Sequence, residues 1–406
     1  MSAVDEIELN IPLREWQKDA LKRWVSNKMH GVASVVTGGG KTILAFACIK
    51  EVYVLKPEVS FIIIVPTIAL LDQWVVELCS VMNITQDSVA IYSSGVKPKK
   101  EKRFNIMVIN TARKEAPKIA RKTPCMIIVD ECHRAASPAN AKCLEGKHVA
   151  SIGLSATPQR EWDNLFDEVV QPKLGEIIYE YGYNEARRDG VISPFGLVNV
   201  KAEMTDQEKH EYNKITKKII ILTKKKNLGD DVEVKLQNLL RHRSRLSLKV
   251  HARLPISIRL VEKNPGERTI LFHEDIFTAN VICNILQKRN HRAALYHSGM
   301  GMSLRHDNLR MFRAGQIDIL VTCRALDEGI SVPDASIAII IASTSSTRQR
   351  IQRLGRVLRP AIGKDYATIY TIYSSPPEEE RLRNEALKLI GAESVQWFSE
   401  VEQCQE

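Results

Sequence analysis

The chain carries 406 residues, 44% of them hydrophobic and 26% charged, with a formal net charge of +10. That length allows two or three domains, each burying its own core, and the most apolar runs, at 61–65 and 337–342, are far too short to cross a bilayer, so no membrane association is expected. The basic balance favours a polyanionic partner.

Residues 1–10 are acidic and polar rather than a charged start followed by an apolar stretch. A cytoplasmic, nucleoid-associated or nuclear protein is therefore expected, not a secreted one. The eight cysteines are scattered without a Cys-x-x-Cys pair and read as reduced core fillers. Cys125, Cys132, His133 and Cys143 fit no zinc spacing.

The first strand-like run, 32–36, leads into Thr37-Gly38-Gly39-Gly40-Lys41-Thr42. Three glycines let backbone N–H groups turn inward around phosphates, Lys41 can neutralise β and γ oxygens, and the Thr42 hydroxyl can ligate Mg²⁺. The full phosphate-loop pattern has another glycine where Val35 stands. Strand-like runs follow at 61–65, 89–92, 106–109 and 126–129, the last ending in Asp130-Glu131-Cys132-His133, and another at 149–154. Asp130 is suited to hold the metal, and Glu131 to orient or deprotonate the water that attacks the γ-phosphate. Both halves of a nucleoside-triphosphate site thus stand in one chain, each after β-branched residues. The alternation of strand-like and helix-like runs predicts an α/β fold with a doubly wound parallel sheet.

From 203 to 253 the strand alternation stops, Lys and Arg accumulate, and apolar residues (Leu236, Leu239, Leu240, Leu246, Val250) recur at helical spacing. This predicts a basic helical insert or linker. Arg241, Arg245 and Lys249 fall opposite the leucines, with Lys217, Lys218 and 224–226 as a second basic cluster. The stripe reads either as a solvated helix face or as a track for a phosphate backbone. Strand-like runs restart at 269–272 and continue at 293–296, 317–322, 337–341 and 367–372, which predicts a second α/β domain.

That domain carries Gln349-Arg350-Ile351-Gln352-Arg353-Leu354-Gly355-Arg356-Val357-Leu358-Arg359, more arginine than a core or surface helix needs. If the two domains face each other, Arg356 and Arg359 can stabilise transition-state charge on the γ-phosphate, with Gln352 near the nucleotide or its water. After Pro376-Pro377 the chain is acidic, then amphipathic, with Trp397 and Phe398 near its end. A C-terminal helix docked on the second domain, or a partner-binding tail, is expected. The expected domains are 1–185, 186–255 (linker), 256–375 and 376–406 (helical tail).

With these motifs in place, the chain resembles the superfamily-2 helicases and translocases from about 12 to 373. The resemblance implies two tandem RecA-like parallel-sheet domains with the basic helical insert between them, ATP and Mg²⁺ as ligands, and a nucleic-acid substrate. Leu13-Arg14-Glu15-Trp16-Gln17 resembles the adenine-recognition element, Gln17 reading the base with Arg14 nearby. Pro66 to Trp74 resembles motif Ia, making Thr67 and Gln73 nucleic-acid contacts, and Asn110-Thr111 resembles motif Ib, adding Thr111. Ser155-Ala156-Thr157 resembles motif III, which couples hydrolysis to domain movement. Phe272-His273 resembles the start of motif IV, adding His273, and Thr322 with Asp327-Glu328-Gly329-Ile330 resembles motif V, adding Thr322 as a nucleic-acid contact and Asp327 and Gly329 near the nucleotide.

Within the superfamily, Asp-Glu-Cys-His, the arginine motif and Gln73-Trp74 resemble DNA-acting branches: XPB-like and UvsW-like enzymes and restriction-enzyme motors. Arg160-Glu161-Trp162-Asp163 resembles the Arg-Glu-Asp element of XPB-like repair helicases, interrupted by Trp162. The DEAD-box RNA helicases fit less well, because their fourth acidic position and His-Arg-Ile-Gly-Arg motif are absent. The resemblance implies a monomeric ATP-dependent motor acting on single-stranded, forked or branched DNA in repair, recombination or replication. Two alternatives stay open: an ATP-gated nucleic-acid clamp, and the motor subunit of a nuclease or restriction complex. The Glu-x-Lys candidate Glu233-Val234-Lys235 lacks a partner carboxylate for nuclease chemistry of its own.

Overall fold

Continuous β-branched and aliphatic runs bury both faces of a strand, and such strands pair in parallel with helices packed on either side. The computed structural model describes residues 7–93, 95, 97–159, 163–224, 230–323, 335–342, 364–388, 392–399 and 401. The chain divides into two compact units, with the boundary between Val191 and Ile192.

The first unit holds strands β1 (His30–Val35), β2 (Ser60–Val65), β3 (Val89–Tyr92), β4 (Phe104–Val108), β5 (Cys125–Asp130), β6 (Ala150–Ser155) and β7 (Ile177–Tyr181). They form one parallel sheet in the order β3-β4-β2-β5-β6-β1-β7. All six residues of β5 are buried, which is why an uninterrupted apolar run was the right signature for it. Its helices are α1 (Glu15–Ser26), α2 (Lys41–Leu55), α3 (Ile68–Met82), α4 (Ile109–Lys122), α5 (Pro138–Ala141), α6 (Gln171–Leu174) and α7 (Tyr183–Arg188). Helix α1 buries Trp16, Ala20 and Trp24 on one face at spacing i, i+4, i+8, and the Trp24 indole donates to the Ser151 carbonyl at 2.8 Å. The core on one side of the sheet gathers Val32, Ile62, Ile64, Met107, Ile127, Val129 and Phe166.

The second unit holds β8 (Phe195–Lys201), β9 (Thr269–His273), β10 (Ala293–His297), β11 (Ile319–Cys323), β12 (Ile337–Ile340), β13 (Ala367–Tyr373) and β14 (Ser394–Phe398). They pair in parallel in the order β10-β11-β9-β12-β13-β8-β14. Its helices are α8 (Asp206–Thr223), α9 (Asp230–Leu248), α10 (Arg253–Glu262), α11 (Ile276–Lys288), α12 (Met302–Arg313) and α13 (Pro376–Lys388). Two parallel seven-stranded α/β sheets in tandem make these RecA-like domains.

Two expectations are corrected. Residues 186–255 were expected as a helical linker, but Phe195–Lys201 is a strand that pairs with both β13 and β14; only the part from Asp206 onward is helical. Gly196 and Asn199 dilute its apolar run, and the neighbouring basic segment hid it. The stretch 376–406 was expected as a helical tail, and it is helical through Lys388, but Ser394–Phe398 then joins the sheet as β14. Its Trp397 packs edge-on against Tyr373, with ring centroids 5.7 Å apart.

Candidate nucleotide site

In a parallel sheet, ligands meet the loops at the carboxyl ends of the strands. Three adjacent strands, β5, β6 and β1, deliver Asp130-Glu131, Ser155 and the glycine turn to that edge of the first unit. Gly38 and Gly40 take positive φ of 87° and 101°, a left-handed backbone that side chains resist. Gly39 is needed for space instead: a Cβ there would stand 2.7 Å from Val35 Cγ1 and 3.0 Å from the Val36 carbonyl. Helix α2 starts directly from this turn, with Gly40 as its N-cap and Lys41 as its first residue, so its unpaired N–H groups and positive dipole end face the loop.

Lys41 Nζ lies 3.4 Å from the Val35 carbonyl and 3.6 Å from Glu131 Oε1. Both contacts are long, so a phosphate can replace them. Asp130 is 8% exposed. Its Oδ1 accepts from the Glu131 N–H at 3.0 Å and its Oδ2 from the Trp74 indole N–H at 3.0 Å. Burial and then the adjacent Glu131 charge push its carboxyl above the usual range, against the pull of Lys41 and the Trp74 bond. Glu131 itself sits at φ 49° and ψ 52°, an uncommon conformation for a side-chain-bearing residue. That turn directs its carboxylate toward Lys41 on one side and toward Ser155 and His133 on the other: Ser155 Oγ is 3.4 Å from Glu131 Oε2 and 3.0 Å from His133 Nδ1, and it also accepts from the Thr157 N–H at 3.1 Å.

The site fits a triphosphate and a hard cation. The Thr37 hydroxyl is buried without a hydrogen-bond partner, and an orphaned donor in a glycine turn suits a phosphate oxygen. A threonine hydroxyl and a carboxylate are Mg²⁺ ligands of the kind that leave most positions to phosphate and water. Among the described residues no cluster of three His, Cys, Asp or Glu could hold a metal by itself.

Other expected site residues fall differently. Gln17 is 2% exposed; its Oε1 accepts from the Arg14 N–H at 2.9 Å and its Nε2 donates to the Gly40 carbonyl at 3.0 Å. Its amide is turned inward and ties α1 to the glycine turn, while Arg14 is exposed. Thr67 is the N-cap of α3 and accepts from the Leu70 N–H at 3.4 Å. Thr111 stands half-buried in the first turn of α4, and Gln73 donates to Glu77 at 2.6 Å.

Thr322 and His273 were expected at the nucleic acid. Thr322 is fully buried within β11 and donates to the Leu271 carbonyl at 3.0 Å. His273 is 6% exposed, its Nδ1 accepts from the Asp275 N–H at 3.0 Å, and burial lowers its pKa. Both side chains lie in the interior, because strands covered on both faces bury their polar residues too. Arg241, Arg245 and Lys249 are exposed, as are Lys217 and Lys218. Asp327, Gly329, Gln352, Arg356 and Arg359, and Arg160 to Trp162, lie outside the described residues. Sequence reasoning missed Trp74 and gave no role to His133, and it placed Ser155 only in the motif that couples hydrolysis to domain movement; the tryptophan's signal was its place in Gln73-Trp74.

Residues 10–160 match the family model described as the type III restriction enzyme, res subunit, and residues 252–361 match the helicase conserved C-terminal domain. The chain belongs to the superfamily-2 helicases and translocases. As a member of that family it is an ATP-hydrolysing enzyme. It is 27% identical over 373 residues to the DNA 3'-5' translocase XPB2 of Sulfurisphaera tokodaii, with 87% of this chain and 80% of that protein covered. It is 25% identical over 384 residues to the DNA 3'-5' helicase XPB of Kineococcus radiotolerans, covering 93% of this chain but 62% of that protein. Two solved structures share the helicase fold. S. cerevisiae Dbp5 bound to RNA and ADP BeF3 matches with a TM-score of 0.64 and 14% identity over 97% of this chain and 93% of that one. The ATP-dependent Type ISP restriction-modification enzyme LlaBIII bound to DNA matches with a TM-score of 0.65 and 16% identity over 94% of this chain and 29% of that one.

Proposed function

We propose that the chain is a DNA-dependent ATPase that moves 3' to 5' on forked or branched DNA, or remodels it, in repair, recombination or replication. The observation that carries this reading is the placement of Lys41 Nζ 3.6 Å from Glu131 Oε1, with Asp130 beside it and the glycine turn at the end of β1, across the intervening β6. The direction and the DNA substrate rest on the names of the relatives.

In this reading Lys41 and the first N–H groups of α2 bind the β and γ phosphates of the substrate ATP, and Glu131 takes a proton from the attacking water. Thr42 and Asp130 would hold Mg²⁺, which supplies charge neutralisation on the phosphate oxygens when bound. Ser155 and His133 hold the second oxygen of Glu131, leaving the first toward Lys41 and water. Arg356 and Arg359 meet charge that develops on the γ-phosphate, and Gln352 assists them. Thr67 and Thr111, at helix starts, and the cations Arg241, Arg245 and Lys249 engage phosphates of the strand. Such contacts carry little base information, so the preference is for DNA shape, and binding weakens steeply with salt.

The deciding experiment is steady-state ATPase activity with single-stranded, duplex and forked DNA and with RNA as activators. Forked or single-stranded DNA is expected to stimulate turnover, and RNA much less; no stimulation by any nucleic acid overturns the proposal. Arg356→Ala is expected to lower kcat by about 10³-fold or more while changing ATP affinity little, and equal losses in both remove Arg356 from that role. A second reading, the motor subunit of a nuclease or restriction complex, is supported by the match of 10–160 to a restriction-enzyme model. It requires a separate nuclease partner.

A further inference from the structure

Three tryptophans are buried in the first unit: Trp16, Trp24 and Trp74, at 4%, 0% and 1% exposure. The apolar spacing of Leu71, Trp74 and Leu78 on α3 accounts for Trp74 as a core residue. It does not account for where the indole points. A buried indole N–H usually takes an acceptor: Trp24 uses the Ser151 carbonyl, while the Trp16 indole N–H has none. Trp74 instead donates to Asp130 Oδ2 at 3.0 Å, across 56 residues of sequence.

That bond completes a fixed geometry. With the Glu131 N–H on Oδ1, each carboxylate oxygen carries one protein donor and keeps lone-pair capacity for another ligand. The indole is itself held edge-on by Phe46 of α2, with ring centroids 5.4 Å apart and planes at 84°. Phe46 lies on the helix that begins at the glycine turn. Trp74 therefore touches the helix of the phosphate loop, the carboxylate at the end of β5 and, through its own backbone, α3. Removing the N–H leaves Oδ2 buried with one donor fewer and the carboxylate anchored by the Glu131 N–H alone.

We propose that Trp74 is a positioning residue that orients the Asp130 carboxylate for the divalent cation of the nucleotide complex. The inference rests on the ATPase reading given above. Outer-shell partners of metal ligands change metal affinity by about 10–100-fold when lost. Trp74→Phe keeps the ring against Phe46 and deletes only the donor.

The test is the binding of a fluorescent ADP analogue to the full chain, with Mg²⁺ titrated in and in EDTA. Trp74→Phe is expected to need about 10–100-fold more Mg²⁺ for the same tightening, with metal-free affinity unchanged. In an Asp130→Asn background, Trp74→Phe is expected to add nothing, because the two act as one unit. An unchanged Mg²⁺ requirement, equal losses with and without the metal, or additive effects in the double variant each overturn the proposal. The wild-type chain gives an answer even if the variant does not fold. Of the five tryptophans, one indole N–H resonance should move when Mg²⁺ is added to the ADP-bound protein, beyond any shift from ADP alone, and none moving overturns it. If the wild type fails to bind the analogue at all, the ATPase reading itself has failed, which is a distinct result.

Discussion

The two sheets have one topology: adding seven to each strand number in the order β3-β4-β2-β5-β6-β1-β7 reproduces the second order, β10-β11-β9-β12-β13-β8-β14. Their carboxyl edges differ. After β1 comes the glycine turn with positive φ at Gly38 and Gly40. After β8, Thr205 caps α8 by accepting from the Glu208 N–H at 3.3 Å, and Glu208 accepts in return from the Thr205 N–H at 2.8 Å. At the end of β5 stands a carboxylate with spare lone pairs. Past the end of β12, the Ile341 carbonyl accepts from Arg253 at 2.7 Å.

Arg253 is 2% exposed. It also donates to the carbonyls of Ser247 and Ile372, to Ser374 Oγ and to both oxygens of Glu378. Burial lowers its pKa despite Glu378. On Glu378 burial acts upward, but Arg253 and the Ser374 N–H win and hold the carboxyl low. Among the described residues, the first scaffold thus gathers Lys41, Asp130 and Glu131 beside the glycine turn, whereas Arg253 and Glu378 of the second satisfy each other in its interior. Fold and chemistry are separable, and the second depends on which polar groups each strand end presents.

The sharpest way to break that contrast is at Lys41 and Glu131. Lys41→Ala and Glu131→Gln are each expected to lower turnover by about 10²–10⁴-fold. Glu131→Gln should retain nucleotide affinity while Lys41→Ala loses it; titration with a fluorescent nucleotide checks this, and parallel losses would mean the two residues have not been assigned correctly.

In the second unit the same kind of truncation should act on stability instead. Arg253→Ala leaves Glu378 buried and unpaired and is expected to cost about 3–5 kcal/mol. Arg253→Leu combined with Glu378→Leu should recover most of it. Denaturant unfolding, with hydrogen exchange read at β8 and β13, measures both; a loss below about 1 kcal/mol would show that the pair is not structural.

The smallest effect is expected at the cap of α8. Burial acts to raise the Glu208 carboxyl, but bonds from His251 and Thr205 hold it down at about 2. A carboxyl lowered in the folded state adds stability above its unfolded pKa and loses it as pH falls through the folded value. Glu208→Gln should therefore cost about 1 kcal/mol at pH 7, and the difference should shrink between roughly pH 4.5 and pH 2. A pH-independent difference in denaturant midpoints would rule this out.

The buried strands were legible because runs such as Ile127, Ile128 and Val129 have one reading in a sheet covered on both faces. Strands β7, β8 and β14 were not legible: β7 is half-exposed with Glu180 and tyrosines in it, and β14 follows a charged helix. The glycine turn and Asp130-Glu131 were legible as local patterns. The contacts that organise them were not, since Gln17 meets Gly40 across 23 residues and Trp74 meets Asp130 across 56. Thr322 and His273 show the reverse limit, where a family position was readable and its burial was not.

Strand β14 has a consequence for anyone shortening this chain. Strand β8 carries six buried residues out of seven, and its outer row of amide and carbonyl groups is covered by Ser394–Phe398. Cutting before Ser394 uncovers a sticky apolar ribbon ready to zip onto another molecule, so aggregation of such a fragment reports a bared sheet margin, not a misfolded motor.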